Sequence, residues 1–191
     1  RKESSAASDV YKRQMMYVVM DGFDLGIGIL FPLITDAEER DVMVNTVAPV
    51  WDGNETWLVL GGAGLLAAFP LAYSVILSAL HLPLVFMLLG LIFRGVAFEF
   101  RFKADPHHRP LWDRAFVLGS LCATFFQGVT LGAYIEGIPV VDRAYQGGAW
   151  DWISPFSLFT GVGLVVGYAL LGCTWLIMKT EGRLHLSLIH I

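Results

Sequence analysis

Residues 56–93 contain no Asp, Glu, Lys or Arg across 38 consecutive positions. As a helix rising about 1.5 Å per residue, that run would reach roughly 57 Å, nearly twice the roughly 30 Å hydrocarbon core of a bilayer. It must fold back on itself. His81 and Pro83 interrupt it, which predicts a turn at residues 78–83 between helices over residues 57–77 and 83–98. Further uncharged runs of 21 residues at 115–135 and 26 residues at 153–178 each suit one crossing, with Pro155 in the first turn of the second. Residues 25–34 are apolar but short. Joined to residues 15–20 they reach spanning length, interrupted by Asp21-Gly22-Phe23-Asp24. The expected fold is an all-α polytopic membrane helix bundle of about five transmembrane helices.

Composition removes the competing classes. Hydrophobic residues make up 55% of the 191 and charged residues 16%, against roughly 45–50% and about 25% in soluble domains. Mean hydropathy is +0.60. A soluble fold of this size has too little interior to hide so much apolar surface, and disordered chains are poor in such residues. A net charge of −4 gives no electrostatic reason to expect nucleic acid as a partner. Cys122 and Cys173 lie in apolar runs without metal-ligand spacing.

Basic residues set an expected orientation. Arg101, Lys103, Arg109 and Arg114 cluster between the third and fourth spans, and Lys179 and Arg183 follow the fifth. These connections, and with them residues 35–55, are placed on the cytoplasmic side. Gly22/Gly26, Gly128/Gly132 and Gly163/Gly167 have GxxxG spacing, which reads as close packing between helices of this chain. The ends look foreign. Residues 1–14 are polar without an apolar period or a signal-peptide core, and residues 186–191 form a short apolar tail after Lys179 and Arg183. Both resemble translated assembly debris and are set apart from the fold, leaving residues 15–185 as the bundle.

Ionisable groups inside membrane spans are costly and point to function. Asp21 and Asp24, at i and i+3, share one helix face flanked by Gly22, Gly26 and Gly28. They read as a proton relay or a contact to a partner helix, or, for Asp21, as a solvated group near an interface. Asp52 and Glu55 sit with Asn54 between Trp51 and Trp57, at the mouth of the longest apolar run. A carboxyl there can exchange a proton. Asp52 can equally be the N-cap of the following helix, with Glu55 three residues on. Arg94, ending the third span, either snorkels to the surface or forms an ion pair with an intramembrane acid such as Asp24 or Asp52. His81 reads as a polar turn residue rather than a haem ligand. No catalytic, cofactor-binding or metal-binding set is complete in this chain.

Two segments carry a resemblance. Asp21-Gly22-Phe23-Asp24-Leu25-Gly26-Ile27-Gly28 and the run from Val47 through Trp51-Asp52-Gly53-Asn54-Glu55-Thr56-Trp57 resemble the signatures of subunit II of cytochrome bd-type quinol oxidases. Leu91-Ile92-Phe93-Arg94-Gly95-Val96-Ala97-Phe98-Glu99-Phe100-Arg101 adds a third. The wording is closest to the cyanide-insensitive branch, and the match over residues 15–185 corresponds to the N-terminal half of a member. The resemblance implies a multi-pass subunit of a bacterial inner-membrane oxidase that reduces dioxygen to water with electrons from quinol. It implies a partner, subunit I, that holds haem b and haem d, while subunit II ligates none, supports assembly and helps deliver cytoplasmic protons. A structural quinone on subunit II is known in some members. Carried over, Asp52 matches the acid assigned to the proton route, Asp24 matches the acid of the Gly-Phe-Asp segment and Arg94 the arginine ending the third helix; Glu55 and Asp21 join Asp52 and Asp24 as proton-pathway candidates from their place at or within apolar spans. The alternative from another class is a multi-pass transporter with a carboxylate site at Asp21/Asp24.

Overall fold

A computed structural model describes residues 2–190; Arg1 and Ile191, at the tips of the two ends set apart above, lie outside the described residues. The chain is helical almost throughout: α1 (Lys2–Leu30), α2 (Ala37–Val47), α3 (Trp51–Ala68), α4 (Pro70–Lys103), α5 (Arg109–Glu136), α6 (Pro155–Lys179) and α7 (Arg183–His190). A 3-10 turn, Phe31–Leu33, follows α1, and a two-residue hairpin, β1 (Val140–Val141) with β2 (Ala144–Tyr145), lies between α5 and α6. The all-α polytopic bundle therefore holds. Among the described residues four helical stretches are long and apolar enough to cross a membrane: Ala7–Leu33, α4, α5 and α6. The fifth member, α3, has only 18 residues, and Asp52, Asn54 and Glu55 occupy its first turns.

Two expectations about breaks in the chain are corrected. The turn between the second and third spans falls at Phe69, not at residues 78–83. Pro70 drives Phe69 out of the helical region, to φ −138° and ψ 64°, and opens α4 as its first residue. Pro83 only bends α4: Leu80 departs to φ −112° and ψ 20° while the helix continues on both sides. A proline removes one N–H, but in lipid the remaining backbone groups have no water to turn to, so a kinked helix is the cheaper outcome. His81 is accordingly a helical residue, exposed, with Nδ1 bonded to the Ser78 carbonyl at 3.0 Å. The second correction concerns Asp21-Gly22-Phe23-Asp24, which does not interrupt α1; the helix runs through it.

The helices cross where glycine removes the side chain. A Cβ on Gly26 would strike the backbone of α6 at Tyr168, and the backbone nitrogen of Gly172 lies 2.8 Å from that position. At the α4–α5 crossing, a Cβ on Gly90 would lie 2.6 Å from the Ala123 nitrogen, and one on Gly119 would lie 2.7 Å from the Arg94 nitrogen. The Gly128/Gly132 pair packs on Ser157, Thr160 and Gly161 of α6, where Thr160 Oγ1 donates to the Gly128 carbonyl at 3.0 Å. The Gly163/Gly167 pair meets nothing within 4 Å.

One end of the bundle is closed by the short α2, capped by Asp36, whose carboxylate accepts from the Glu38 and Glu39 backbone N–H groups. Its buried Met43, Val44 and Val47 join Ile27, Phe31, Phe98, Phe116 and Leu176 in the largest apolar cluster, to which Leu184 and Leu188 of α7 also belong. Arg101 is 2% exposed and ties this end together, with Asp113 at 2.6 Å and Asp41 at 2.7 Å. Arg40 pairs with Asp113 at 3.3 Å and Arg109 with Asp41 at 3.1 Å. Arg183 lies 3.9 Å from Glu39. Residues 35–50, 104–108 and 180–182 thus share one end, joined by the ion pairs of Arg40, Arg101, Arg109 and Arg183.

Candidate functional site

The carboxyl cluster is assembled from three helices. Asp21 and Asp24 on α1 are both 0% exposed. The close α1–α6 crossing at Gly26 and Gly172 holds this stretch of α1 deep in the bundle. Asn54, in the opening turns of α3, points inward and is 3% exposed. Its Nδ2 donates to Asp24 Oδ2 at 2.6 Å. Arg94 of α4 is 1% exposed, with Nη1 3.6 Å from Glu55 and 3.9 Å from Asp21. Those separations are those of an ion pair and exceed a direct hydrogen bond. Burial at this depth is tolerated because the charges face one another.

The structure decides between the alternatives that the sequence left open. Arg94 does not snorkel; it pairs, and its acids are Asp21 and Glu55 rather than Asp24 or Asp52. Asp21 is not a solvated interfacial group. Asp52 is not a cap: α3 begins at Trp51 with Val50 at the N-cap position and no side-chain capping bond. Asp52 lies exposed in the first turn, where its negative charge faces the positive end of the helix dipole. With Glu55, one turn on, it lines a cleft of about 360 Å³ between α3 and α4 that Trp51, Thr56, Leu91 and Gly95 help to wall. Glu55, with its side chain 27% exposed, connects this cleft to the buried guanidinium.

Chemically, two carboxyls, Asp21 and Glu55, share one guanidinium, and an amide fixes a third, Asp24. Adding a proton to such a set reduces an excess of negative charge instead of creating a new charge. Among the described residues no group of three or more His, Cys, Asp or Glu side chains is placed to hold a metal. His81 Nδ1 is bonded to a carbonyl of its own helix, and His81 lies outside the cleft.

A family model for cytochrome bd terminal oxidase subunit II matches residues 13–191. The chain belongs to that family. It is 36% identical over 177 residues to cytochrome bd-I ubiquinol oxidase subunit 2 of Escherichia coli K12, covering 89% of this chain and 47% of that protein. It is 36% identical over 172 residues to cytochrome bd ubiquinol oxidase subunit 2 of Bacillus subtilis 168, covering 88% and 51%. The chain spans about half the length of the curated relatives it matches. Family membership disfavours the transporter alternative.

For this family member the sequence located the acids but not all the buried polar groups near them. Tyr17, one turn before Asp21 and 6% exposed, was missed, as was the pair in which Gln127 Nε2 donates to the Tyr168 hydroxyl at 2.9 Å. Gln127 did carry a signal, being an amide inside the uncharged run 115–135. Asn54 was visible in the motif, but its direction was not.

Proposed function

We propose that the chain acts as the non-haem-ligating subunit of a cytochrome bd-type quinol oxidase in a bacterial inner membrane. In this reading it supports assembly with a haem-bearing subunit I and delivers cytoplasmic protons for the reduction of dioxygen to water. The α2 end is the cytoplasmic end, in keeping with its basic residues. Haem b and haem d belong to the partner, and quinol is the electron donor of the complex. Within the family the reading keeps the cyanide-insensitive branch, with this chain corresponding to the N-terminal half of subunit II and a quinone as a structural companion in the lipid.

One observation carries the proton-delivery part: a cleft opening at Asp52 leads through Glu55 to the buried Arg94, Asp21 and Asp24. A proton taken up at Asp52 passes to Glu55 one turn away, and the carboxyls beyond hold it until the partner draws on it. Arg94 keeps the acids together, and Asn54 keeps Asp24 oriented. The test is Asp52→Asn and Glu55→Gln in the complete oxidase, with quinol-driven oxygen uptake and haem content measured together. Uptake should fall by at least about tenfold, the order expected for losing a positioned proton carrier, with haem retained. Full uptake with all haems present would remove the route. Loss of haem would assign these residues to assembly instead.

A further inference from the structure

One side of α5 carries Ser120, Thr124 and Gln127, each about one turn from the next. Ser120 and Thr124 are 0% exposed. Their hydroxyl oxygens, and Gln127 Oε1, have no hydrogen-bond partner among the described residues. Other hydroxyls in these spans close onto their own helix, as is usual in apolar surroundings. Thr130 donates to the Phe126 carbonyl at 2.8 Å, and Thr174 to that of Leu171 at 2.8 Å. Ser120 and Thr124 do not.

Ser120 is the member of the set that touches α1, and the register of the two helices places the others. Phe31 stacks edge-on against Phe116, with centroids 5.3 Å apart, and Gly28 abuts the Ser120 hydroxyl. The two helices therefore run antiparallel, and continuing that register sets Thr124 level with Asp24 and Gln127 level with Asp21. The Tyr168 ring bridges this upper end: it receives the Gln127 bond and lies 2.9 Å from where a Cβ on Gly22 would stand, next to Asp21. Asp24 Oδ1 and both Asp21 oxygens are likewise buried without a hydrogen-bond partner among the described residues. Orphaned polar atoms thus follow one another along about 10 Å of the seam, seven residues at helical rise.

We propose that this α1–α5 seam is a binding site for a file of internal water molecules, running from Ser120 past Thr124 and Asp24 to Gln127 and Asp21. Buried water takes two to four hydrogen bonds from groups otherwise left unsatisfied, and the seam offers both donors and acceptors. The inference rests on the proton-delivery reading and deepens it: the file is a second arm to the cluster, separate from the cleft at Asp52. At its end an O–H bond of a protonated water breaks and a carboxyl O–H forms on Asp24 or Asp21, with no other reactant. Ser120, Thr124 and Gln127 are positioning residues, which orient the waters.

The experiment is a cryo-EM map of the complete oxidase, at a resolution that shows ordered water, for the parent and for Thr124→Val. The parent should show water densities within hydrogen-bonding distance of Ser120 Oγ, Thr124 Oγ1 and Gln127 Oε1. Thr124→Val should lose the central density and slow oxygen uptake severalfold at unchanged haem content, and Thr124→Ser should restore both. A dry seam with the hydroxyls turned onto the Phe116 and Ser120 carbonyls would overturn the inference, even if Asp52→Asn still slows the enzyme. Waters present in the seam of an enzyme indifferent to Asp52→Asn, Asp24→Asn and Thr124→Val would support the site and overturn its use for protons.

Discussion

Asp24 is fixed by a single short bond from Asn54, and that makes Asn54 the most informative small change in the cluster. Asn54→Leu keeps the branched shape but leaves a buried carboxyl oxygen without its donor, at a cost of about 1–3 kcal/mol. The expected result is a lower thermal midpoint of the purified complex, read from loss of haem absorbance on heating, with Asn54→Asp less harmful to packing than to turnover. Arg94→Met is the harsher change. It strands Asp21 and Glu55, and breaking a buried pair from one side costs about 3–5 kcal/mol. The yield of assembled complex should collapse, and Arg94→Lys should recover part of it. At this scale the sequence was informative about chemistry and silent about pairing. Acids and an arginine inside apolar runs are conspicuous because lipid repels them. Which acid meets Arg94 depends on where the first turns of α3 cross α1 and α4, and nothing within any one of those segments records that crossing.

At the scale of helices, two prolines with similar local signals had opposite effects. Pro70 separates α3 from α4 because it pushes Phe69, the residue before it, out of helical geometry. Pro83 sits where the helix is committed on both sides, and the chain bends instead of breaking. The charge-free run points to a break near Pro83 and not at Pro70; the departure of Phe69 from helical geometry is what places it. GxxxG spacing behaved similarly. The same pattern makes close crossings at Gly26 and Gly128 and faces open space at Gly163 and Gly167. Gly26→Ala should therefore force α1 and α6 apart, costing about 1–3 kcal/mol for overpacking, whereas Gly163→Ala should leave the thermal midpoint unchanged. Equal losses from both substitutions would show that the crossing has been misplaced. Helix α2 escaped sequence reading because it is too short and too polar to show a spanning signal, and only its Asp36 cap announces it.

For the molecule as a whole, the two polar features lie at different levels. The Arg101 network binds α2 under the bundle at its basic end, and the carboxyl cluster sits deeper, held by α1, α3 and α4. Since α2 leads directly into Trp51 and Asn54, the network also sets where α3 begins. Arg101→Met should loosen α2, seen as faster backbone hydrogen exchange over Ala37–Val47, while exchange at the Gly26 crossing stays slow. Fold class and the identity of the acids were legible from charge-free runs and motifs, whereas the depth of the cluster needed the packed helices. The central claim is that buried carboxyls of this chain carry protons inward. It is tested most directly by following the membrane voltage after an oxygen pulse to the reduced oxidase in proteoliposomes, comparing the parent with Asp24→Asn. Electron transfer from the haems to oxygen should begin normally in the variant, while the voltage phase reporting proton uptake slows by at least about tenfold. An unchanged voltage phase in a fully haem-loaded Asp24→Asn enzyme would contradict the account.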